Sequence, residues 1–324
     1  MAGVRQFKIA AIQVGPIARA AKREDTVKRL CGLLSKAADE GARLAVFPEL
    51  TLTTFFPKWL IQSQEEVDSY FEKGDITKGP CKPLFELSKE KKIGFYLGYA
   101  ELTDDGHHFN TSILVDNEGK IINKYRKVHL PGFIEPIEGI PFQQLEKRYF
   151  EYGDMGFQAV RTNPEWIDAT VGMLICNDRR WPEAWRSYAL QGMDLMLIGY
   201  NSVANAVGLF GDKEDKTLRQ YHSDLSAKSN AYFNSCFAVS VGKCGKEEGQ
   251  DLLAGSIIVD PTGRTVDQCK TEDDEVIVSE IDLDDSIIGK QKMFDFERHR
   301  RPECYTRLVE QKGTIPLPPY SPSN

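Results

Sequence analysis

Apolar residues come in short runs of strand length, separated by stretches with helical spacing. Lys8 to Val14 is such a run, and Thr26 to Ala42 then repeats Val27, Leu30, Cys31, Leu34 and Ala38 on one helix face. Gly41 closes that helix, and Leu44 to Phe47 reads as a buried parallel strand ending at Pro48 and Glu49. A helix over Pro83 to Lys91 follows, then strands over Ile93 to Ala100, Asn110 to Asp116 and Ile121 to Val128, the last two joined by a turn at Asn117, Glu118 and Gly119.

The same order then recurs. Ala169 to Cys176 reads as a strand, Pro182 to Gln191 as a helix, Leu195 to Tyr200 as a strand ending at Asn201, Lys216 to Asn230 as a helix, Phe237 to Gly242 as a strand, and Leu252 onward as a hairpin. The hairpins match by letter: SILVDNEGKII at 112 to 122 parallels SIIVDPTGRTV at 256 to 266. Two similar halves with no Pro- or Ser-rich linker between them imply one α/β domain, a four-layer αββα sandwich with two sheets face to face and helices outside. We expect it to occupy residues 1–312, with 313–324 (GTIPLPPYSPSN) as an extended Pro-rich tail.

Composition narrows the function classes. A formal charge of −7, from 41 Lys and Arg against 48 Asp and Glu, disfavours a nucleic-acid partner, which needs a cationic excess. No apolar run approaches membrane-spanning length, so the expectation is a soluble cytoplasmic protein with no membrane partner. Seven scattered cysteines, an odd number without a CxxC pair or zinc-type spacing, suit a reducing compartment and no metal.

In open α/β sheets, ligands sit beyond the carboxyl ends of strands. Glu49, Lys127 and Cys176 all fall at such ends. Singly, each has an ordinary explanation: a turn cap, a charged strand edge, a core thiol. Together they supply a base, a cation and a nucleophile, the three parts thiol catalysis on a carbonyl needs. The helix starting at Pro182 adds amide dipoles close by.

FPEL at 47 to 50, KYRKVHLPG at 124 to 132 and CNDRRWPEAWR at 176 to 186 resemble the nitrilase superfamily of carbon–nitrogen hydrolases. Longer strings are most similar to N-carbamoyl-D-amino acid amidohydrolases: GPIARA at 15 to 20, LTTFFPKW at 52 to 59, GYAEL at 98 to 102, FNTSILVD at 109 to 116, PFQQLEKRYFEYGDMGF at 141 to 157 and GYN at 199 to 201. The resemblance implies the same αββα fold and a catalytic set of Cys176 as nucleophile, Glu49 as base, Lys127 as oxyanion partner and Glu146 as a second glutamate. It needs no metal or cofactor. It also implies a small carboxylate-bearing amide or carbamoyl substrate, read chiefly by Arg180 with Arg179, Asn177, Asn201 and His129, and a homodimer or homotetramer. The expected reaction removes the carbamoyl group of an N-carbamoyl (D-)amino acid, giving amino acid, CO2 and ammonia. The alternatives are an amidase or carbamoyl hydrolase for N-carbamoyl-β-alanine, ω-amides or aliphatic amides, then a nitrilase, then a non-catalytic assembly protein of the same fold.

Three stretches depart from the amidohydrolase pattern. The loop FIEPIEGI at 133 to 140 is more apolar and acidic, Gln144 stands where a histidine is expected, and NSVANAVGLFGDKEDK from Asn201 lacks the usual histidines and prolines. His222 has no firm counterpart. These changes surround the pocket and leave the chemistry in place.

Overall fold

A computed structural model describes residues 3–205 and 215–319. Much of the 201–216 stretch that departs from the pattern, and the last five residues of the expected tail, therefore lie outside the described residues. Gly313 to Pro319 is exposed and carries no helix or strand.

The first sheet runs in the order Glu275–Asp282, Gln6–Gln13, Ala42–Val46, Gly94–Leu102, His108–Val115, Ile121–Arg126, with Glu72–Lys73 paired beside Gly94–Leu102. The second runs Thr265–Gln268, Ile257–Val259, Phe237–Gly242, Leu195–Tyr200, Thr170–Ile175, Val160–Arg161. Each holds three parallel strands followed by an antiparallel hairpin, in the same spatial order. Each is extended by an antiparallel strand next to its first parallel one.

The two hairpins repeat in register as well as in sequence. Val115 faces Ile121 and Leu114 faces Asn123 across a bulge, just as Val259 faces Thr265 and Ile258 faces Asp267. In both turns an aspartate oxygen accepts two backbone N–H groups, Asp116 from Glu118 and Lys120, and Asp260 from Thr262 and Arg264. A glycine at positive φ completes each turn, Gly119 at 73° and Gly263 at 82°, a conformation that side chains with a Cβ resist.

Helices Arg23–Asp39 and Lys82–Lys91 cover the outer face of the first sheet, placing Val27, Leu30, Leu34, Leu84 and Phe85 against Ile12, Ala45, Phe95 and Leu97. Helices Pro182–Ala189 and Lys216–Asn234 cover the second through Trp185, Tyr188, Ala227 and Ala231. The inner faces meet through Ile9, Leu44, Val46 and Tyr96 on one side and Val171, Met173, Leu197 and Val239 on the other. The four layers expected from the repeat are thus observed.

Strand Glu275–Asp282 was not expected. It pairs with the first strand of the chain, Gln6 facing Asp282, and so closes the sheet with residues from opposite ends of the sequence. Such a pairing has no local signature.

Two glycines set how closely the layers approach at Glu49. A Cβ on Gly98, in the first sheet, would lie 2.7 Å from the Glu49 Cα and 2.8 Å from the Pro48 carbonyl oxygen. A Cβ on Gly199, in the second, would lie 2.7 Å from the Glu49 nitrogen. The Pro48–Glu49 peptide is therefore clamped between backbones, where a side chain cannot yield. Gly199→Ala is expected to destabilise the fold by about 1–3 kcal/mol, the usual range for overpacking. The midpoint of urea unfolding would measure it, and an unchanged midpoint would show that the clamp relaxes freely.

Candidate active site

Strand Ala42–Val46 delivers Glu49 one turn past its carboxyl end, with the side chain wholly buried. Three donors face its carboxylate. Oε1 accepts from Lys127 Nζ at 2.7 Å and from Asn110 Nδ2 at 2.7 Å, and Oε2 accepts from the backbone N–H of Asn201 at 2.9 Å. Lys127, just past strand Ile121–Arg126, also donates to Glu146 Oε2 at 2.5 Å from its buried ammonium. Glu146 opens the short helix Glu146–Tyr149. The structure thus brings Glu49, Lys127 and Glu146 into one buried cluster.

Cys176 completes it. Strand Thr170–Ile175 ends one residue earlier, and Cys176 begins the tight helical turn Cys176–Arg180 with φ of 48°. A non-glycine residue in this left-handed region is strained, and such strain clusters at functional positions. Its Sγ donates to the Asn201 carbonyl at 3.2 Å.

Burial decides the electrostatics. It pushes the Cys176 thiol above the ordinary cysteine value, with Glu49 adding to the rise and Lys127 and Arg179 opposing it. A thiol held in this way would need an adjacent base to take its proton before it could attack a carbonyl. Burial alone would push the Lys127 ammonium down, but Glu146 and Glu49, joined by Cys176 when its sulfur is ionised, hold it above the usual lysine range. Burial also pushes the Glu146 carboxyl up, against the pull of Lys127.

Cys176 opens onto a cavity of about 580 Å³ whose wall includes Phe55, Gln144, Asn177, Arg180, Asn201 and Arg219. His222 and Ser226, from helix Lys216–Asn234, form the opposite side. Among the described wall residues there is no aspartate or glutamate. Two buried acceptors near Cys176 have no hydrogen-bond partner among the described residues, Asn201 Oδ1 and Glu146 Oε1. The orientation of the Asn201 amide is set, because its Nδ2 donates to the Glu49 carbonyl at 2.8 Å.

Not every residue expected to read substrate reaches this cavity. Arg180 and Asn177 do, the Asn177 amide donating to the His129 carbonyl at 3.0 Å. Arg179 does not: its side chain is buried behind the nucleophile, and its Nη groups donate to the Cys176 carbonyl, Ser202 Oγ and Ser223 Oγ. His129 is drawn away as well. Its Nδ1 pairs with Asp178 Oδ1 at 2.7 Å, and its ring stacks on Trp181 with centroids 4.7 Å apart.

Two structural roles were not read from the sequence. Asp178 also accepts from the Tyr125 hydroxyl at 2.8 Å, tying the strand that carries Lys127 to the turn that carries Cys176. Asn110 holds the Glu49 side chain and, through its carbonyl, the Lys127 backbone N–H at 2.8 Å. The signal available for Asn110 was its place in FNTSILVD, quoted only as resemblance.

A family model described as carbon–nitrogen hydrolase matches residues 8–287. The chain belongs to the carbon–nitrogen hydrolase family. Among related proteins, the N-carbamoylputrescine amidase of Oryza sativa subsp. japonica is 28% identical over 319 residues, covering 95% of this chain and 96% of that protein. A citrullinase of Francisella tularensis is 26% identical over 294 residues, 89% of this chain and 93% of that one. Neither is named for an N-carbamoyl-D-amino acid. The fold of a carbon–nitrogen hydrolase from Helicobacter pylori G27 superposes with a TM-score of 0.79 at 20% identity, covering 94% of this chain and 99% of the other. An amidase from Nesterenkonia sp. superposes at 0.68 and 18% identity, covering 95% and 98%. The chain is thus an amidohydrolase of the nitrilase superfamily, of αββα fold.

The shared grip of Asn110 on Glu49 and Lys127 generates an expectation for this carbon–nitrogen hydrolase. Asn110→Ala should lower kcat by about 10- to 100-fold, the range for misplacing a general base, with KM within threefold. Steady-state kinetics on any amide the enzyme turns over would measure it; unchanged kcat would show that Lys127 and Asn201 position Glu49 unaided.

Proposed function

We propose that this enzyme removes the carbamoyl group from an N-carbamoyl amino acid. The observation that carries the reading is the charge of the cavity beside Cys176: Arg180 and Arg219 on its wall, with no carboxylate among the described wall residues. A guanidinium offers the planar fork that matches a carboxylate, and the described part of the wall offers no carboxylate to a cationic substrate. Two relatives are named for ureido compounds, N-carbamoylputrescine and citrulline. The former carries a free amine, cationic at neutral pH, for which the described wall residues supply two guanidiniums and no counter-charge. The two unpaired acceptors, Asn201 Oδ1 and Glu146 Oε1, support a ureido group, because it presents N–H donors on both sides of its carbonyl and an alkyl amide on only one.

In this reading Glu49 takes the Cys176 proton as sulfur attacks the carbamoyl carbon, and returns it to the departing nitrogen, which leaves as ammonia. The tetrahedral oxyanion is held by Lys127 and the Asn177 backbone N–H. Glu146 holds Lys127 in place. Water, deprotonated by Glu49, then attacks the S-acyl cysteine and frees the thiol together with an N-carboxy amino acid. That product loses CO2 to give the amino acid, so one water is consumed for one ammonia and one CO2 released. D-configuration of the substrate belongs to the reading through the amidohydrolase strings.

The test is a panel of D- and L-N-carbamoyl amino acids, N-carbamoyl-β-alanine, N-carbamoylputrescine, simple amides and nitriles. Ammonia and CO2 are expected in equal amounts from an N-carbamoyl amino acid, and no product from Cys176→Ser. Ammonia without CO2 from simple amides alone would overturn the carbamoyl reading, and preference for N-carbamoylputrescine would overturn the carboxylate one. Arg180→Lys is expected to raise KM about tenfold for the carboxylate substrate and little for its neutral amide analogue, since the fork is lost. An equal rise for both would remove Arg180 from substrate recognition.

A further inference from the structure

Arg179 is a wholly buried cation beside the site that the proposed reaction does not use. Its guanidinium is fully buried, and among the described residues no carboxylate lies within ion-pairing distance. A buried charge without a counter-ion is expensive. Its partners are neutral: the Cys176 carbonyl at 2.8 Å, Ser202 Oγ at 3.0 Å and Ser223 Oγ at 3.1 Å, with the Tyr200 ring 4.4 Å away.

One of those partners is decisive. The Cys176 carbonyl and the Asn177 N–H are the two ends of one trans peptide group, so they point in opposite directions. A guanidinium on the oxygen fixes the direction of the N–H and polarises it, making it a stronger donor. The same bond anchors Cys176 at its φ of 48°.

We propose that Arg179 is a positioning residue: by bonding the Cys176 carbonyl it aims and strengthens the Asn177 N–H toward the oxyanion, and it lends positive charge to the Cys176 thiolate. This rests on Cys176 being the nucleophile and not on any choice of substrate. The charged groups facing the thiol are Glu49, Lys127, Glu146 and Arg179 itself; Tyr200 and Asp224 face the guanidinium from the other side. Arg179 opposes the upward push that burial gives the thiol. It therefore does not read the substrate carboxylate, the role its place in CNDRRWPEAWR implied.

Two variants and two readouts decide it. Arg179→Met keeps the volume and removes both charge and hydrogen bonds; Arg179→Lys keeps the charge and loses the fork. The first readout is the pH profile of iodoacetamide alkylation at Cys176, mapped by mass spectrometry, which needs no substrate. The second is kcat and KM on the amide that the enzyme turns over best. For Arg179→Met the profile is expected to move up by about one pH unit, and kcat to fall about 100-fold, the cost of one oxyanion donor, with KM within threefold. For Arg179→Lys the profile should stay near wild type while kcat falls at least tenfold. Both shifts in Arg179→Met are required: an unmoved profile, an unmoved kcat, or a KM rise that accounts for the loss overturns the proposal. Should Arg179→Met fail to fold, Arg179→Lys decides, since wild-type kcat or failure of that variant to fold would also overturn it. Failure of the carbamoyl reading would leave the alkylation profiles unaffected.

Discussion

The Lys127 ammonium, out of reach of water, is the constraint around which this protein is arranged. A buried cation is costly unless partners reach it, and Lys127 has carboxylates from two segments, Glu49 past a central strand and Glu146 from a short helix far along the chain. Removing either partner from such a pair costs about 3–5 kcal/mol, because the remaining charge stays buried. The catalytic groups and the stability of the core are thus bound to the same contacts. With Lys127 occupied by two acids, burial and Glu49 keep the nearby Cys176 thiol above the ordinary cysteine value.

Holding that cluster requires the two sheets to approach more closely than side chains usually permit. Gly98 and Gly199 make room for the Pro48–Glu49 peptide, and the Tyr96 hydroxyl crosses from the first sheet to the second, donating to the Leu174 carbonyl and accepting from the Gly199 N–H. The repeat explains where they meet. Strands Ala42–Val46 and Leu195–Tyr200 are equivalent in the two halves, and the residues just past their ends, Glu49 and Asn201, bond to each other twice. The site therefore lies where the equivalent ends of two half-domains touch.

A second buried network supports the same segments from below. Glu247, wholly buried, accepts from the Phe55 and Ile17 backbone N–H groups and from Lys243, while Lys58 donates to the Glu247 carbonyl. The backbone of Pro57 and Lys58 in turn receives Leu145 and Gln143, next to Glu146. Burial pushes the Lys58 ammonium down to about 8 and the Lys243 ammonium down as well, with Glu247 opposing the fall at both. The loops bearing Glu49 and Glu146 are fastened together through it.

The sequence by itself determined the layers and the repeat, and it singled out Glu49, Lys127 and Cys176 at strand ends and, by resemblance, Glu146 as the groups the proposed chemistry uses. Apolar periodicity is a local property, and letter matches between the two hairpins carry a long-range relation within short strings. Strand ends were legible to within a few residues. What it could not convey was contact between segments distant in the chain: the closing strand Glu275–Asp282 paired to Gln6–Gln13, Asp178 joined to Tyr125 and His129, and Asn110 bridging Glu49 and Lys127. Arg179 and Arg180 are adjacent in sequence and alike in chemistry. Only the tertiary structure separates them, because the tight turn after Cys176 sends one guanidinium inward to the nucleophile's carbonyl and places the other on the cavity wall.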